Sequence, residues 1–318
     1  MAVETNQELI VSIIIVNYKA YKMTEDCIES IRNHTQNLSY EIILVDNVSN
    51  SHSLKQLKKK CPYIKSIENK DNLGFAAANN QGIAKAGGDF ILFLNNDTIF
   101  TENSLKKILD FIRNTSEITF VGCQLKNSDG SYQNSAYDFI SPWNSLGESL
   151  FIYKLFPKYK LFSKYHYNKK KISTPIEVGY VQGAFLVGPS EIIKLLNGFD
   201  ERFFFYGEEA DLCKRLKQMG GKVIFLPYTS IIHVGGVTAY KNLRFKFKNQ
   251  SIAHIQLIQK HFHGINFLVL HFLHYLGIII RIPIYFISGI LMFNKFQLLK
   301  SINYLRLLFV YPKNQFNK

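Results

Sequence analysis

The chain has 318 residues, 47% of them hydrophobic, which is enough for one large α/β domain with an appendage or two modest domains and excludes a mainly disordered protein. The formal net charge of +14 comes from the C-terminal third: residues 212–318 carry 15 Lys and Arg and no Asp or Glu, whereas residues 1–211 are close to neutral. Because these bases are interleaved with apolar residues, the pattern favours an anionic membrane surface and predicts no nucleic-acid partner.

Strand-like and helix-like segments alternate between residues 9 and 125. The predicted strands are Leu9–Val16, Tyr40–Val45, Tyr63–Glu68, Phe90–Leu94 and Ile118–Leu125. The predicted helices are Thr24–His34, Leu54–Lys60, Phe75–Ala86 and Ser104–Arg113. This alternation indicates a parallel sheet covered by helices on both faces. No Gly-x-Gly-x-x-Gly follows the first strand, but polar residues follow several strands, which indicates a polar ligand at that edge.

The apolar run Phe90–Leu94 ends in Asn95, Asn96 and Asp97. Five apolar residues in a row predict a strand buried on both faces, and open α/β sheets bind ligands at the carboxyl ends of such strands. A carboxylate there suits a divalent cation that also contacts phosphate oxygens. The alternative is a helix cap, because Asn96, Asp97 and Thr98 also precede a helical pattern. The pattern alone leaves both interpretations open.

Residues 126–175 lack clear periodicity and predict an irregular insertion that covers an acceptor site at the sheet edge. Regular structure resumes with a strand predicted over Glu177–Val187. Its small residues, Gly183 and Ala184, indicate close approach of a backbone or a ligand.

Two further segments carry candidate chemistry. Glu208, Glu209 and Asp211 open a helix predicted over Glu208–Gln218. Acids in a first turn complement the helix dipole, but adjacent carboxylates behind an aromatic run also have the surroundings of a general base. His233 ends an apolar strand pattern directly before a Val-Gly-Gly sequence. A lone histidine is commonly structural, and at a strand end it also suits a metal or phosphate contact.

In the C-terminal third, Ile265–Phe293 is apolar apart from Arg281, which lies close to Pro283. About 20 apolar residues suffice to cross a bilayer, but a mid-run arginine is costly there and a proline kinks the helix. We therefore predict two helices lying in the membrane interface, flanked by basic residues. The alternative is a helical pair packed on the preceding domain or on a second copy in a homodimer.

The four cysteines are widely spaced and form no Cys-x-x-Cys pair. They predict reduced, buried thiols and neither a disulfide framework nor a zinc site. The N-terminal residues lack the basic start of a signal peptide. The expected location is therefore the cytoplasm, with peripheral attachment to the inner face of the cell membrane through the tail.

A set of short segments stands in a characteristic order. They are Ser12–Tyr18, Val45-Asp46-Asn47-x-Ser49, Asn72-x-Gly74-Phe75-Ala76-x-x-Asn79-Asn80, Leu94–Asp97, Gln182-Gly183-Ala184, Gly198-Phe199-Asp200-Glu201, Glu208–Cys213 and His233. This set resembles the inverting family 2 glycosyltransferases of GT-A fold, and within them the bacterial branch that holds rhamnosyltransferases and other builders of surface polysaccharides. The resemblance covers about residues 9–240 and implies a Rossmann-like mixed sheet flanked by helices.

The resemblance also implies an organisation and a donor. Residues 1–250 would form the GT-A domain, with a nucleotide-binding part at about 9–125, an acceptor and catalytic part at about 126–240, and a helical tail at 251–318. The donor would be a UDP- or dTDP-sugar, dTDP-rhamnose among them, and the acceptor would be a polyprenyl-linked glycan. The residues implied to bind the donor are Asn17, Tyr18, Asp46, Asn47, Asn72, Gly74, Asn79, Asn96, Gln182 and Gly183.

The remaining implied roles concern the metal and the base. Asp97, with Asn95 and His233, would hold Mg²⁺ or Mn²⁺ on the diphosphate, while Asp46 would accept the N3–H of a uracil or thymine base. The implied catalytic base is Glu209, and its helix also carries the candidate residues Glu208 and Asp211.

The sequence departs from the family pattern at three places. Asn95 replaces the first Asp of the Asp-x-Asp motif, Asn50-Ser51 stands where an acid is common, and Glu209 stands where Asp is frequent. These departures support a competing hypothesis, a non-catalytic membrane-associated protein that binds nucleotide-sugars through a degenerate site.

Overall fold

A computed structural model describes residues 10–165, 167, 172–235 and 243–312. The strands are β1 (Ile10–Asn17), β2 (Ser39–Asn47), β3 (Lys65–Asn69), β4 (Phe90–Asn95), β5 (Thr98–Phe100), β6 (Thr119–Lys126), β7 (Ala136–Tyr137), β8 (Ile176–Glu177), β9 (Tyr180–Val181), β10 (Phe185–Pro189) and β11 (Lys222–His233). The helices are α1 (Tyr21–His34), α2 (Ser51–Lys60), α3 (Phe75–Lys85), α4 (Ser104–Arg113), α5 (Pro142–Ser149), α6 (Ile152–Leu155), α7 (Ser190–Leu195), α8 (Glu208–Gln218), α9 (Leu243–His261), α10 (Gly264–Leu291) and α11 (Lys295–Leu307).

The central sheet is mixed. Its strand order is β3-β2-β1-β4-β10-β6-β11-β5, with β8 paired to β11. The strands β1 to β4 pair with one another in parallel, as the alternating pattern predicts. Antiparallel pairing enters with β10, which lies between β4 and β6, and with β5, which pairs with β11. The sheet therefore matches the mixed architecture that the resemblance implies.

Alternate residues of the central strands pack on opposite faces of the sheet. In β1, Ile13 and Ile15 face a core shared with α1, α2 and α4, whereas Ile14 faces a core shared with α3, α7 and α8. All three isoleucines are fully buried. A strand apolar on both faces must be covered on both sides, which explains the run of consecutive apolar residues in β1 and β4.

The predicted elements between residues 10 and 125 are confirmed, with boundaries that shift by up to three residues. The strand predicted over Glu177–Val187 is wrong as a single element. It divides into the ends of β8, all of β9 and the start of β10. β9 and β10 are separated at the small residues around Gly183. There the chain leaves β7, the partner of β9, and turns so that β10 pairs with β4. The region predicted as an irregular insertion contains β7 and the helices α5 and α6.

The tail forms three helices, and the predicted break in its apolar run is wrong. Helix α10 continues through Pro283 and ends at Leu291. Arg281 does not interrupt it, because the guanidinium turns towards the protein and donates to the carbonyl oxygens of Gly277 at 2.8 Å and Glu148 at 2.6 Å. Among the described residues α10 is the one helix long and apolar enough to cross a membrane, judged by length and composition.

Candidate active site

The register of the sheet brings the polar strand ends together. Asn17 lies opposite Asp46 in the β1–β2 ladder, and Asn95 lies opposite Val16 in the β1–β4 ladder. His233 ends β11 opposite Thr98 of β5, which places it beside Asp97. The carboxyl ends of these strands therefore form one polar edge, where open α/β sheets bind their ligands.

Asp46 is the centre of a buried polar network. Its side chain is fully buried, and its two oxygens accept hydrogen bonds from Asn17 Nδ2 at 2.6 Å and from the Tyr21 hydroxyl at 2.7 Å. Burial, reinforced by the nearby Asp46, raises the pKa of Tyr21 to about 12. Asn96 donates to Asn17 Oδ1 at 3.2 Å. Asp46 and Asn17 do not line the cavity; Asp46 holds Tyr21 directly and Asn96 through Asn17.

Asn47 organises the loop that leads into α3. Its Nδ2 donates to Asn72 Oδ1 at 3.1 Å and to the Gly74 carbonyl at 3.2 Å, while its Oδ1 accepts from Asn69 and from the Leu73 amide. At Gly74 φ is +87°, and a Cβ there would lie 2.6 Å from the Phe204 carbonyl oxygen, so glycine is required. The loop is therefore held rigidly against the segment that precedes α8.

The other predicted donor-binding residues divide into two groups. Tyr18 lies half-exposed at the cavity wall, and Asn96 and Gln182 also line the cavity. Asn79 does not: it is 1% exposed and donates to the Phe75 carbonyl within α3. Gly183 is a neighbour of Glu209. A Cβ built at Gly183 would lie 3.5 Å from the Cβ of Glu209. Asn79 thus stabilises its helix, and Gly183 lies next to the Glu209 side chain at ordinary van der Waals distance.

Asp97 and His233 form the part of the edge best suited to a cation. Asp97 Oδ1 lies 3.2 Å from His233 Nε2, and Asn95 Nδ2 lies 3.3 Å from the same nitrogen. The alternative interpretation of Asp97 as a helix cap is not what the structure shows, since Asn103 caps the following helix.

The tautomer of His233 follows from Gln133. The side-chain Nε2 of Gln133 donates to Asn127 and to the His233 carbonyl, both at 2.6 Å, which leaves its Oε1 to accept from His233 Nδ1 at 2.9 Å. With the proton on Nδ1, the Nε2 lone pair faces the Asp97 carboxylate. A histidine held in this way by a second residue is a common arrangement at metal sites. Among the described residues no group of three or more His, Cys, Asp or Glu converges, so a bound metal would complete its shell with phosphate and water oxygens.

Two glutamates at the start of α8 differ in exposure. Glu209 lines the cavity, whereas Glu208 is 5% exposed and does not. Burial, and then the charge of Glu209, raises the pKa of Glu208 well above its usual range. Burial also raises the pKa of Glu209, but backbone amides including those of Gly183 and Gly207 favour its charged form. Both pKa values are therefore raised, and the backbone amides oppose the rise at Glu209, the glutamate that lines the cavity where a general base would act.

Asp211, the third candidate on this helix, serves a different purpose. It is fully buried and pairs with Arg215 at 2.8 Å, with Lys260 at 2.7 Å and with His261 at 2.8 Å. Burial alone would raise the pKa of Asp211, but these three partners outweigh it and hold that pKa below its usual value. Lys260 also pairs with Asp200 at 2.6 Å. Asp211 thus clamps α8 to the tail helix α9 and does not reach the cavity.

A cavity of about 1160 Å³ joins these parts. Asp97 and His233 line one part of it, Glu209 lines its middle wall, and Lys164 and Arg281 line a part next to the tail. Tyr21 and Gln133, which hold Asp46 and His233 in place, were not predicted from the sequence. Tyr21 lies before the predicted start of the first helix at Thr24, and Gln133 lies in the aperiodic insertion, so nothing in the local pattern marked either.

Comparison with known proteins decides the family. The family described as Glycosyl transferase family 2 matches residues 12–185, more than half of the chain. The chain belongs to glycosyl transferase family 2. This glycosyltransferase is 26% identical over 234 residues to the rhamnosyltransferase WbbL of Escherichia coli strain K12, and the match covers 70% of this chain and 83% of that enzyme.

Two other relatives are similar over shorter portions of their length. The N-acetylglucosaminyl-diphospho-decaprenol L-rhamnosyltransferase of Mycobacterium tuberculosis is 24% identical over 203 residues, which is 60% of this chain and 66% of that enzyme. A poly(ribitol-phosphate) beta-glucosyltransferase of Bacillus spizizenii is 31% identical over 175 residues, covering 53% of this chain and 27% of that enzyme. The chain therefore spans less than two thirds of either protein.

Solved structures confirm the GT-A fold. A mannosyltransferase of Pyrobaculum calidifontis, in complex with GDP-Man and Mn²⁺, superposes with a TM-score of 0.53 at 15% identity, covering 93% of this chain and 74% of that one. GalNAc-T7, with UDP, GalNAc and Mn²⁺, gives a TM-score of 0.51 at 18% identity, covering 72% of this chain and 44% of that one.

Proposed function

We propose that this glycosyltransferase moves a sugar from a UDP- or dTDP-sugar to a hydroxyl group of a glycan acceptor, with inversion at the anomeric carbon, in bacterial surface polysaccharide synthesis. The observation that carries the proposal is the position of Glu209. This half-buried carboxylate, whose pKa burial raises and whose charged form backbone amides favour, lies in the same cavity as the Asp97–His233 pair. A base and an anion-binding edge are the two parts that such a transfer needs.

In the proposed reaction Glu209 accepts the proton of the acceptor hydroxyl. The acceptor oxygen forms a bond to the anomeric carbon on the face opposite the diphosphate, while the bond from that carbon to the diphosphate oxygen breaks. The electron pair of the broken bond leaves with the nucleoside diphosphate. Because one displacement occurs, the configuration inverts and no covalent enzyme intermediate is required.

A divalent cation fits this site. Asp97 and His233 would hold Mg²⁺ or Mn²⁺, and the bound ion would neutralise charge on the departing diphosphate. Support comes from the oriented Nε2 lone pair of His233, and from the Mn²⁺ in both structural neighbours. Asn95 is a neutral neighbour of this pair. The residues available to the metal therefore include one carboxylate fewer than an Asp-x-Asp motif provides.

The name of the mycobacterial relative favours a sugar-diphospho-lipid as acceptor, since that enzyme acts on an N-acetylglucosaminyl-diphospho-decaprenol. We extend this to the present protein as a polyprenyl-linked glycan. The two rhamnosyltransferase relatives favour dTDP-rhamnose among the candidate donors.

A donor screen tests the proposal. With Mn²⁺ present, UDP or dTDP and their sugars should raise the unfolding temperature, and GDP should not, because a ligand that binds only the folded state stabilises it by about 2.7 kcal/mol at 100 times its Kd. The sugar donors should then release free UDP or dTDP on incubation with an acceptor or with water. Stabilisation without any release would support the non-catalytic alternative, and stabilisation by GDP alone would contradict the pyrimidine assignment.

We further propose that the protein lies on the cytoplasmic membrane surface through α10 and α11. Large apolar side chains are exposed along both helices, among them Phe286 at 52%, Ile287 at 54% and Leu291 at 74%. The inner face of α10, which includes Leu273 and Ile278, packs on the protein. The outer face is therefore apolar, and the part of the chain that forms it has no acid to repel an anionic lipid.

Acidic substitutions on this outer face should release the protein from membranes. We expect Ile287→Glu with Leu291→Glu to weaken co-sedimentation with phosphatidylglycerol-containing vesicles by about 100-fold or more, because each of the two apolar side chains contributes about 1.5–3 kcal/mol when fully buried. Leu155→Glu is the matched control, since Leu155 is 77% exposed on α6, outside the tail. Equal sedimentation of all three proteins would contradict the proposal. Deleting the tail is a poorer test, because Lys260 and His261 pair with Asp211.

A further inference from the structure

The cavity extends beyond Glu209 into a chamber between α5 and the tail helices. We define the tail chamber by Lys164, Arg281, Glu148, His254 and His274, all of which line the cavity. Residues of α5, α9 and α10 meet here, so the tail contributes directly to the wall of the site. The proposed transfer assigns no function to any of these side chains.

The tail chamber carries an excess of positive charge. Lys164 is 13% exposed, and its one ion pair among the described residues is with Glu148 at a long 3.9 Å. Arg281 makes no ion pair within the described part of the chain; its guanidinium donates to two carbonyl oxygens and lies 4.6 Å from the centre of the Phe151 ring. Partly buried cations with one distant carboxylate between them are costly unless an anion completes the arrangement.

The two histidines add neutral donors to the same wall. Their rings stack with centroids 4.9 Å apart, and His274 Nε2 lies 3.0 Å from the Ser251 hydroxyl. Burial, and then the neighbouring charges, lowers the pKa of His274 to about 4 and that of His254 well below its usual value. At neutral pH they are therefore uncharged, and the positive charge resides on Lys164 and Arg281.

Aromatic side chains connect the chamber to the base. Tyr180, near Glu209, stacks on Tyr137 with ring centroids 4.9 Å apart, and Tyr137 contacts Tyr165 at 5.5 Å. Tyr165 directly follows Lys164 in the chain. All three rings line the cavity, so a sugar ring could lie on them between Glu209 and Lys164.

We propose that the tail chamber binds the diphosphate of a sugar-diphospho-lipid acceptor, with Lys164 and Arg281 contacting the phosphate oxygens. The acceptor sugar then lies on the tyrosines with its hydroxyl group towards Glu209, and the lipid passes along α10 and α11. Apolar chamber residues, including Leu257, Ile278 and Leu307, line this path. The inference deepens the proposed function and rests on it for the identity of the acceptor.

Binding of farnesyl diphosphate to the full chain tests this site without any turnover. Titration is carried out in EDTA, so that a metal at Asp97 cannot capture the diphosphate. Wild-type protein should bind farnesyl diphosphate, and Lys164→Gln should weaken that binding by about 10- to 100-fold, the usual effect of removing a charged hydrogen bond. Lys154→Gln removes the same charge from an exposed position outside the cavity and should change nothing. Unaltered binding by Lys164→Gln would overturn the proposal.

Further arms identify what the chamber recognises and guard against misfolding. Inorganic pyrophosphate should displace farnesyl diphosphate from the wild-type protein, whereas farnesol should not. The opposite result, displacement by farnesol and not by pyrophosphate, would overturn the proposal. This test uses only the wild-type protein, so it holds even if Lys164→Gln fails to fold. Lys164→Arg keeps the charge and should keep binding. Asp97→Asn should bind farnesyl diphosphate like wild type, and a loss there would instead place the ligand in the donor site. Because no step requires catalysis, these results are independent of whether sugar transfer is observed.

Discussion

Replacing Glu209 by glutamine is expected to lower turnover by about 10²–10⁴-fold, the usual contribution of a general base. Glutamine keeps the size and hydrogen-bonding capacity of the side chain but cannot accept the acceptor proton. Donor binding should change little, because Glu209 lines the wall beyond the Asp97–His233 pair. The measurement is steady-state transfer, or donor hydrolysis where no acceptor is at hand, together with nucleotide affinity for each variant.

Glu208→Gln is the matched control. Glu208 does not line the cavity and burial raises its pKa, so a neutral amide at this position should leave turnover close to wild type. The pH profile gives a second test. Because burial raises the pKa of Glu209, activity should fall as the pH drops through this raised pKa, and Glu209→Gln should lack that limb. An active Glu209→Gln with an inactive Glu208→Gln would transfer the role of base to Glu208.

Asp97→Asn should have a comparable effect through the metal. The substitution keeps the shape of the side chain and removes the carboxylate charge that faces His233 Nε2. We expect the affinity for Mn²⁺, measured by titration of the protein with its nucleoside diphosphate, to fall by more than about 100-fold. Outer partners of metal ligands already contribute about 10- to 100-fold, and Asp97 is proposed as a direct ligand.

Two further variants make the metal assignment specific. Gln133→Leu removes the acceptor that orients His233 and should cost about 10- to 100-fold in Mn²⁺ affinity. Asp129→Asn, at an exposed acid in a turn outside the cavity, should have no effect. Full wild-type turnover in excess EDTA would contradict a metal at Asp97 altogether.

Much of the fold was predictable because its signals are local. The runs of β1 and β4 are apolar on both faces, and the acids at residues 208, 209 and 211 do begin a helix at the predicted residue. The order of the polar strand ends was enough to predict that these residues share one edge of the sheet, which the registers of Asn17, Asn95 and His233 confirm. The division of Glu177–Val187 into separate strands was not predictable, since strand partners distant in sequence decide it.

The roles within the site depended on contacts that no local pattern contains. The contact of Asp46 with a base stays a prediction; what no local pattern contained is that Asn17 and Tyr21 each donate to one of its oxygens. Asp211 shares a helix face with Glu208 by spacing, but Lys260 and His261 come from a region about 50 residues away to hold it. Arg281 was judged an obstacle to a continuous helix because its inward direction depends on the packing of α5.

The contacts of Asp211 with the tail also limit which chimeric proteins can be built from this chain. The tail cannot be exchanged as a module, because its Lys260 and His261 neutralise a carboxylate two residues from Glu209 on α8. Consider a chimera that takes residues 243–312 from a relative lacking a cation at position 260 and a histidine at position 261. Of its present partners, Asp211 would then keep only Arg215. Tail and base therefore have to be transplanted together, along with the loop that carries Asp200.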